Sequence, residues 1–105
     1  MTDYPLPYVS TDLGGQVAFV TGTTSGLGMR FAKVLASCGA KVALTGRRVD
    51  RLGALAEEIR ADGGVCEPIA LDMTDRDSIR DALKQAEEAL GVVQILVNNA
   101  GIPDA

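Results

Sequence analysis

The sequence contains no histidine and no tryptophan, and only two cysteines in 105 residues. Cys38 and Cys66 stand far apart and form no C-x-x-C pair. With no histidine to join them, a metal or thiol-redox site lacks its other members. They read as two semi-buried thiols of a reducing compartment, the cytoplasm. Aromatic residues make up 4% of the chain, so the core must be aliphatic, built from Val, Leu, Ile and Ala. No apolar run is long enough to cross a membrane. The first residues, Met1 to Thr11, carry Asp3, Pro5 and Pro7 and no basic stretch, which is not the pattern of a secretory leader. Excess positive charge is also lacking. Fourteen acidic side chains oppose ten basic ones, for a net charge of -4. Such a chain repels a phosphate backbone, so nucleic acid is not an expected partner. No run of like charges suggests a tail.

What is present is a globular balance, 47% hydrophobic and 23% charged,. The length suits one domain at most, with enough residues to bury a core. Residues 1–13 read as an extended lead-in. After them short apolar runs alternate with helical patterns. Gln16 to Thr21 is the first strand. Leu27, Phe31, Val34, Leu35 and Cys38 then recur at helical spacing and predict the buried face of a helix, with Gly39 where a left-handed cap belongs. Lys41 to Thr45 is the second strand. Leu52, Leu55, Ala56 and Ile59 mark a second helix ended by Gly63 and Gly64. Val65 to Leu71 is the third strand, and Pro68 within it argues for a sheet edge, because proline donates no ladder bond. Thr74 is the expected cap of a third helix, with Asp77 reaching back, and Ile79, Leu83, Ala86 and Leu90 are its expected buried face. Gly91 closes it, and Val92 to Val97 is the fourth strand. Near-continuous apolar strands joined by helices predict an α/β fold with a doubly wound parallel sheet. Right-handed crossovers and a strand order of 3-2-1-4 would put the first two helices on one face and the third on the other.

The first strand runs through Thr21-Gly22-Thr23-Thr24-Ser25-Gly26-Leu27-Gly28 directly into a helix. Gly22 permits a sharp turn, Gly26 lets backbone approach a pyrophosphate, and Gly28 permits close packing of the helix. Free amides and the helix dipole would then face phosphate. The spacing is G-x-x-x-G-x-G, so the strict G-x-G-x-x-G pattern fails, and Met29 and Arg30 replace the Lys and Ser/Thr that a P-loop requires. Just past the second strand stand Gly46, Arg47 and Arg48. A site for NAD commonly places an acid there for the ribose 2′-hydroxyl, whereas a guanidinium suits a 2′-phosphate. Asp50, the nearest acid, reads as a helix cap. Asp72 ends the third strand at the carboxyl edge of the sheet. Asn98-Asn99-Ala100-Gly101 follows the fourth, where two adjacent amides can tie neighbouring strand ends.

Together these residues resemble the short-chain dehydrogenase/reductase family. The likeness runs from about Leu13 to the last residue, with the three motifs in order, each at the end of the correct strand. It implies a Rossmann-type sheet and a nicotinamide coenzyme, with NADP(H) preferred over NAD(H) because of the arginines. By the same resemblance Gly22, Thr24, Ser25, Gly26, Leu27 and Gly28 border the coenzyme phosphates and adenosine ribose. Arg47, with Arg48 beside it, takes the 2′-phosphate. Asp72 and Met73 edge the adenine. Asn98, Ala100 and Gly101 meet the nicotinamide-side ribose, and Asn98 also braces the sheet. Gln94 departs from the acid often found there.

The chemistry of that family needs a Ser, a Tyr-x-x-x-Lys pair and a helix Asn, all beyond the coenzyme half. Its Tyr passes a proton to the carbonyl oxygen and its Lys lowers the Tyr pKa. Tyr4 and Tyr8 lie in the lead-in with no lysine four residues on, so no catalytic residue is nominated. Residues 14–105 are therefore expected to be an incomplete NADP(H)-binding half-domain of a longer reductase of carbonyls, or of the reverse alcohol oxidation. The alternatives are a non-catalytic NADP(H)-binding module and a non-functional truncation product. The parent is expected to be a homo-oligomer. Alone, the chain is expected to self-associate through an open fourth-strand edge and an apolar patch on the face that carries a single helix.

Overall fold

Four short apolar strands organise the molecule. The computed structural model describes residues 13–23 and 26–99. Its elements run β1 (Val17–Val20), α1 (Gly26–Ser37), β2 (Lys41–Gly46), α2 (Val49–Ala61), β3 (Val65–Ala70), α3 (Arg76–Leu90) and β4 (Val93–Val97). The strands form one sheet in the order β3-β2-β1-β4, and all three pairings are parallel. The expected order and α/β class are therefore observed. Pro68 sits on β3, an edge strand, opposite Leu44.

Two apolar cores lie on opposite faces of the sheet. One joins Ala18, Val20, Val42 and Leu44 to Leu52, Leu55, Ala56 and Ile59 of α2 and to Ala32 and Ala36 of α1. The other joins Phe19, Ala43, Ile69 and Leu71 to Ala82 and Ala86 of α3. Ile79, Leu83 and Leu90 pack against it, half-buried. Alternate strand residues thus serve alternate faces, as a pleated strand requires. All four apolar residues expected of α2 are buried. Each large one contributes on the order of 2 kcal/mol.

The buried face of α1 differs from expectation. Leu27, Phe31 and Val34 are 46%, 40% and 53% exposed, whereas Gly28, Ala32 and Ala36 are the buried residues. Of the five apolar residues expected to face inward, Leu35 packs against the core, half-buried, and Cys38 is half-buried. The reason is steric. A stripe of small residues at i, i+4 and i+8 lets the helix lie close on the sheet, and contact at Gly28 fixes its rotation with the bulkier side chains turned away,. Hydrophobic size therefore misidentified the buried face.

Helix ends show two further corrections. The side chain of Asp75, not Thr74, caps α3, accepting the N–H groups of Asp77 (2.9 Å) and Ser78 (3.4 Å). Thr74 is engaged instead with Asp72. Asp50 is not the cap of α2. Arg48 holds that position without a side-chain cap bond, and Asp50 lies in the first turn, where its charge still suits the helix dipole,. At the other end of α1, Gly39 has φ +97°. Its N–H donates to the carbonyl of Ala36 and that of Ala40 to Leu35, the paired bonds of a left-handed helix stop,. Gly63 and Gly64 end α2 with the same pair of bonds, to Arg60 and Ile59.

Gln94 occupies an irregularity in β4. Val93 pairs with Val17 but Ile95 pairs with Ala18, so Gln94 is an extra residue against β1. Its side-chain oxygen accepts the Val17 N–H at 3.2 Å. The amide side chain thus takes up a donor at the point where the ladder breaks. Beyond β4 no further strand is present among the described residues, and Val92 and Leu96 are 72% and 66% exposed. Among the described residues, no helix is long and apolar enough to cross a membrane.

Candidate coenzyme site at the carboxyl edge of the sheet

The four parallel strands end along one edge, and polar residues there join neighbouring strand exits. Thr21, the first residue past β1, donates its N–H to the carbonyl of Val97 at 2.9 Å. Its hydroxyl lies 3.3 Å from that carbonyl and 3.2 Å from Oδ1 of Asn98, and accepts the Asn99 N–H at 2.8 Å. Nδ2 of Asn99 donates to the carbonyl of Gly22 at 3.4 Å. The two adjacent asparagines therefore do tie the ends of β1 and β4. Asn98 is exposed and Asn99 is buried, so the inner bracing falls mainly to Asn99.

Gly22 turns the chain out of the strand with φ +68°, a conformation that favours glycine. Gly28 is buried where α1 meets this turn. A Cβ there would collide with the Gly22 carbonyl oxygen and lie 2.9 Å from Nδ2 of Asn99. Gly26 is the reverse case, since a Cβ there would meet nothing within 4 Å among the described residues. The first turn of α1 carries no acidic side chain, whereas α2 has Asp50 and α3 has Asp77. An open approach at Gly26 and an acid-free helix start fit a bound anion such as a pyrophosphate. Thr24, Ser25, Ala100 and Gly101 lie outside the described residues.

Across β2 the edge continues. Thr23 donates its N–H (3.0 Å) and its hydroxyl (2.9 Å) to the carbonyl of Thr45, and the Thr45 hydroxyl donates to Val20 at 2.8 Å. Past Gly46 both arginines are exposed. Nε of Arg48 stands 3.8 Å from Oδ1 of Asp50, while Arg47 has no carboxylate within ion-pairing distance among the described residues. Leu71 donates to the carbonyl of Gly46, tying β3 to β2. Asp72 follows, with its N–H bonded to the Ser78 hydroxyl. Oδ1 of Asp72 accepts the Thr74 hydroxyl (2.6 Å) and the Thr74 N–H (2.9 Å). The hydroxyl bond first and the amide bond second hold the Asp72 carboxyl below its ordinary value; desolvation opposes them, and the charge of Arg47 adds a smaller lowering effect. Met73 is exposed beside it. Leu27 is exposed on α1 near the turn.

The described candidate residues thus gather on one edge, at the exits of β1, β2, β3 and β4. Thr21, Thr23, Thr45, Asn99 and Ser78 hold that edge together; the sequence pointed to the paired asparagines as a tie and to Thr21 as the start of the glycine motif, but gave Thr23, Thr45 and Ser78 no part in the site. Their only signal is polarity at the boundary between a strand and a turn. Away from the edge, Cys66 is buried rather than semi-buried. Its Sγ lies 3.6 Å from the Ala56 carbonyl, and burial pushes its thiol pKa up. Among the described residues, no group of three or more metal-ligating side chains comes together.

A family model described as short chain dehydrogenase matches residues 16–105. A short chain dehydrogenase of Pseudocercospora fijiensis is 47% identical over 90 residues, which cover 86% of this chain and 29% of that protein. A dehydrogenase/reductase from Sinorhizobium meliloti superposes with a TM-score of 0.85 at 45% identity, covering 89% of this chain and 37% of the other. A metagenomic short-chain oxidoreductase, solved in complex with NADP, superposes with a TM-score of 0.80 at 43% identity, covering 89% and 42%. The chain thus spans between 29% and 42% of the length of these three proteins.

Two outcomes are expected from the geometry. Replacing Gly28→Ala forces a Cβ against backbone and is expected to cost about 3 kcal/mol, read from urea unfolding. A change of under about 0.5 kcal/mol would mean that α1 does not depend on this seat. The second concerns pH. Because folding lowers the Asp72 pKa, the associated stability is present above the ordinary carboxylate value and is lost as pH falls through the folded one. Thr74→Val removes the largest cause and is expected to move Asp72 upward in a carboxyl-carbon NMR titration. An unmoved titration would contradict the hydroxyl bond as its source.

Proposed function

The chain belongs to the short-chain dehydrogenase family, and from that premise we propose that it is the NADP(H)-holding portion of an oxidoreductase that interconverts a carbonyl and an alcohol. The observation that carries the reading is the arrangement at the sheet edge. An open, acid-free helix start at Gly26 and the exposed guanidinium of Arg47, which has no carboxylate within ion-pairing distance among the described residues, flank the exits of adjacent parallel strands.

When bound, a nicotinamide coenzyme supplies or accepts the hydride. The residues of this chain bind and orient it. Gly22, Thr24, Ser25, Gly26, Leu27 and Gly28 border the pyrophosphate and adenosine ribose, with the positive end of α1 offsetting phosphate charge. Arg47 takes the 2′-phosphate through charge-assisted bonds. Arg48 contributes less, because its charge is partly engaged by Asp50. Asp72 keeps its carboxylate ionised beside the adenine, where its second oxygen can accept from an exocyclic amine, and Met73 packs nearby. Asn98, and by the family resemblance Ala100 and Gly101, would meet the nicotinamide-side ribose. The complex of the metagenomic short-chain oxidoreductase with NADP supports this choice of coenzyme.

Arg47→Asp is expected to weaken NADPH by about 2 kcal/mol, roughly 30-fold, while leaving NADH affinity near its original value. Fluorescence titration of both reduced coenzymes reads the ratio. An unchanged preference between them would reject Arg47 as the 2′-phosphate group.

A further inference from the structure

Thr23 is completely buried, one residue past the turning glycine, against a sheet whose core is mainly apolar. Its N–H and its hydroxyl both donate to one acceptor, the carbonyl of Thr45, at 3.0 and 2.9 Å. Thr45 is also completely buried, and its own hydroxyl donates to Val20. The hydroxyl of Thr23 is not needed to satisfy that carbonyl, because the backbone N–H already does so. Two bonds from one residue to one oxygen restrain rotation as well as separation. They pin the start of the glycine turn to β2 at a point two residues before Arg47.

We propose that Thr23 is a positioning residue for coenzyme discrimination, its hydroxyl holding the phosphate-facing turn in register with Arg47. The proposal rests on the reading of Arg47 as the 2′-phosphate group. A coenzyme with a 2′-phosphate must meet the turn and the guanidinium at once, so its affinity depends on their separation. A coenzyme without one meets only the turn and is less sensitive. Loss of the Thr23 hydroxyl therefore acts on the ratio of the two affinities.

The test is fluorescence titration of the chain with NADPH and NADH, comparing Thr23→Val and Thr23→Ser, each alone and with Arg47→Ala. Thr23→Val is expected to lower the NADPH-to-NADH affinity ratio about tenfold. Thr23→Ser, which keeps the hydroxyl, is expected to hold the ratio within about threefold. In the Arg47→Ala background, Thr23→Val is expected to leave the ratio unchanged. Should Thr23→Val fail to fold, Thr23→Ala retains the N–H bond and carries the same expectation. Equal weakening of both coenzymes by the variant lacking the hydroxyl would assign Thr23 a merely structural part and overturn the proposal. A native chain whose preference is unaffected by Arg47→Ala would overturn the 2′-phosphate reading itself, and the proposal with it.

Discussion

Thr21 joins the exit of β1 to the exit of β4, and the geometry of the candidate site follows from that seam. Its amide and hydroxyl reach Val97 and Asn98, and the next asparagine returns a bond to the same hydroxyl. With both strand ends held, Gly22 can turn only into the space that Asn99 leaves. Gly28 then seats α1 against Gly22 and Asn99, where no side chain fits. On the other side, Thr23 and Thr45 carry the same constraint into β2, and Leu71 carries it from β2 into β3. Buried polar groups of this kind cost free energy unless each finds a partner. Here the partners are the strand ends themselves, so satisfying them aligns the edge.

Much of this could be read from residue order. Alternating apolar runs and helical patterns led to the parallel sheet; the 3-2-1-4 order was that expected of a doubly wound fold, and crossover handedness then placed the helices on its two faces. Gly39, Gly63 and Pro68 marked helix stops and an edge strand, since each imposes a backbone restriction that few contexts accept. The face of α1 was misread because large apolar residues suggested burial, while close helix–sheet approach selected Gly28, Ala32 and Ala36. Cap residues were displaced by one or two positions because Thr74, Asp75 and Asp77 all offer oxygen acceptors, and only the local backbone chooses between them. Asn99 was legible as a strand tie because it stands beside Asn98 just past an apolar run, but its partner Thr21 and the Thr23–Thr45 pair were not: they meet across long sequence separations, which spacing does not encode.

Charge also works on two scales. A net charge of -4 disfavours long polyanions,. Locally, the acid-free start of α1 and the arginines past β2 offer positive potential to a compact anion. Asp72 stands opposite, kept ionised by Thr74 and Arg47. One edge thus holds separate positive and negative subsites, which suits a ligand with phosphates at intervals and an amine-bearing ring at one end. The exposed Val92 and Leu96 lie beside and on β4, at the opposite edge of the sheet from β3.

The central claim is that a phosphorylated nicotinamide coenzyme lies along this edge. Backbone amide NMR of the chain, titrated with NADPH, tests it most directly. The account predicts shifts concentrated at Gly22, Thr23, Gly26, Arg47, Asp72 and Asn98, with the residues at the opposite ends of the strands unmoved. Saturable shifts confined to the far ends of α1 and α2, or no saturable shifts, would contradict it.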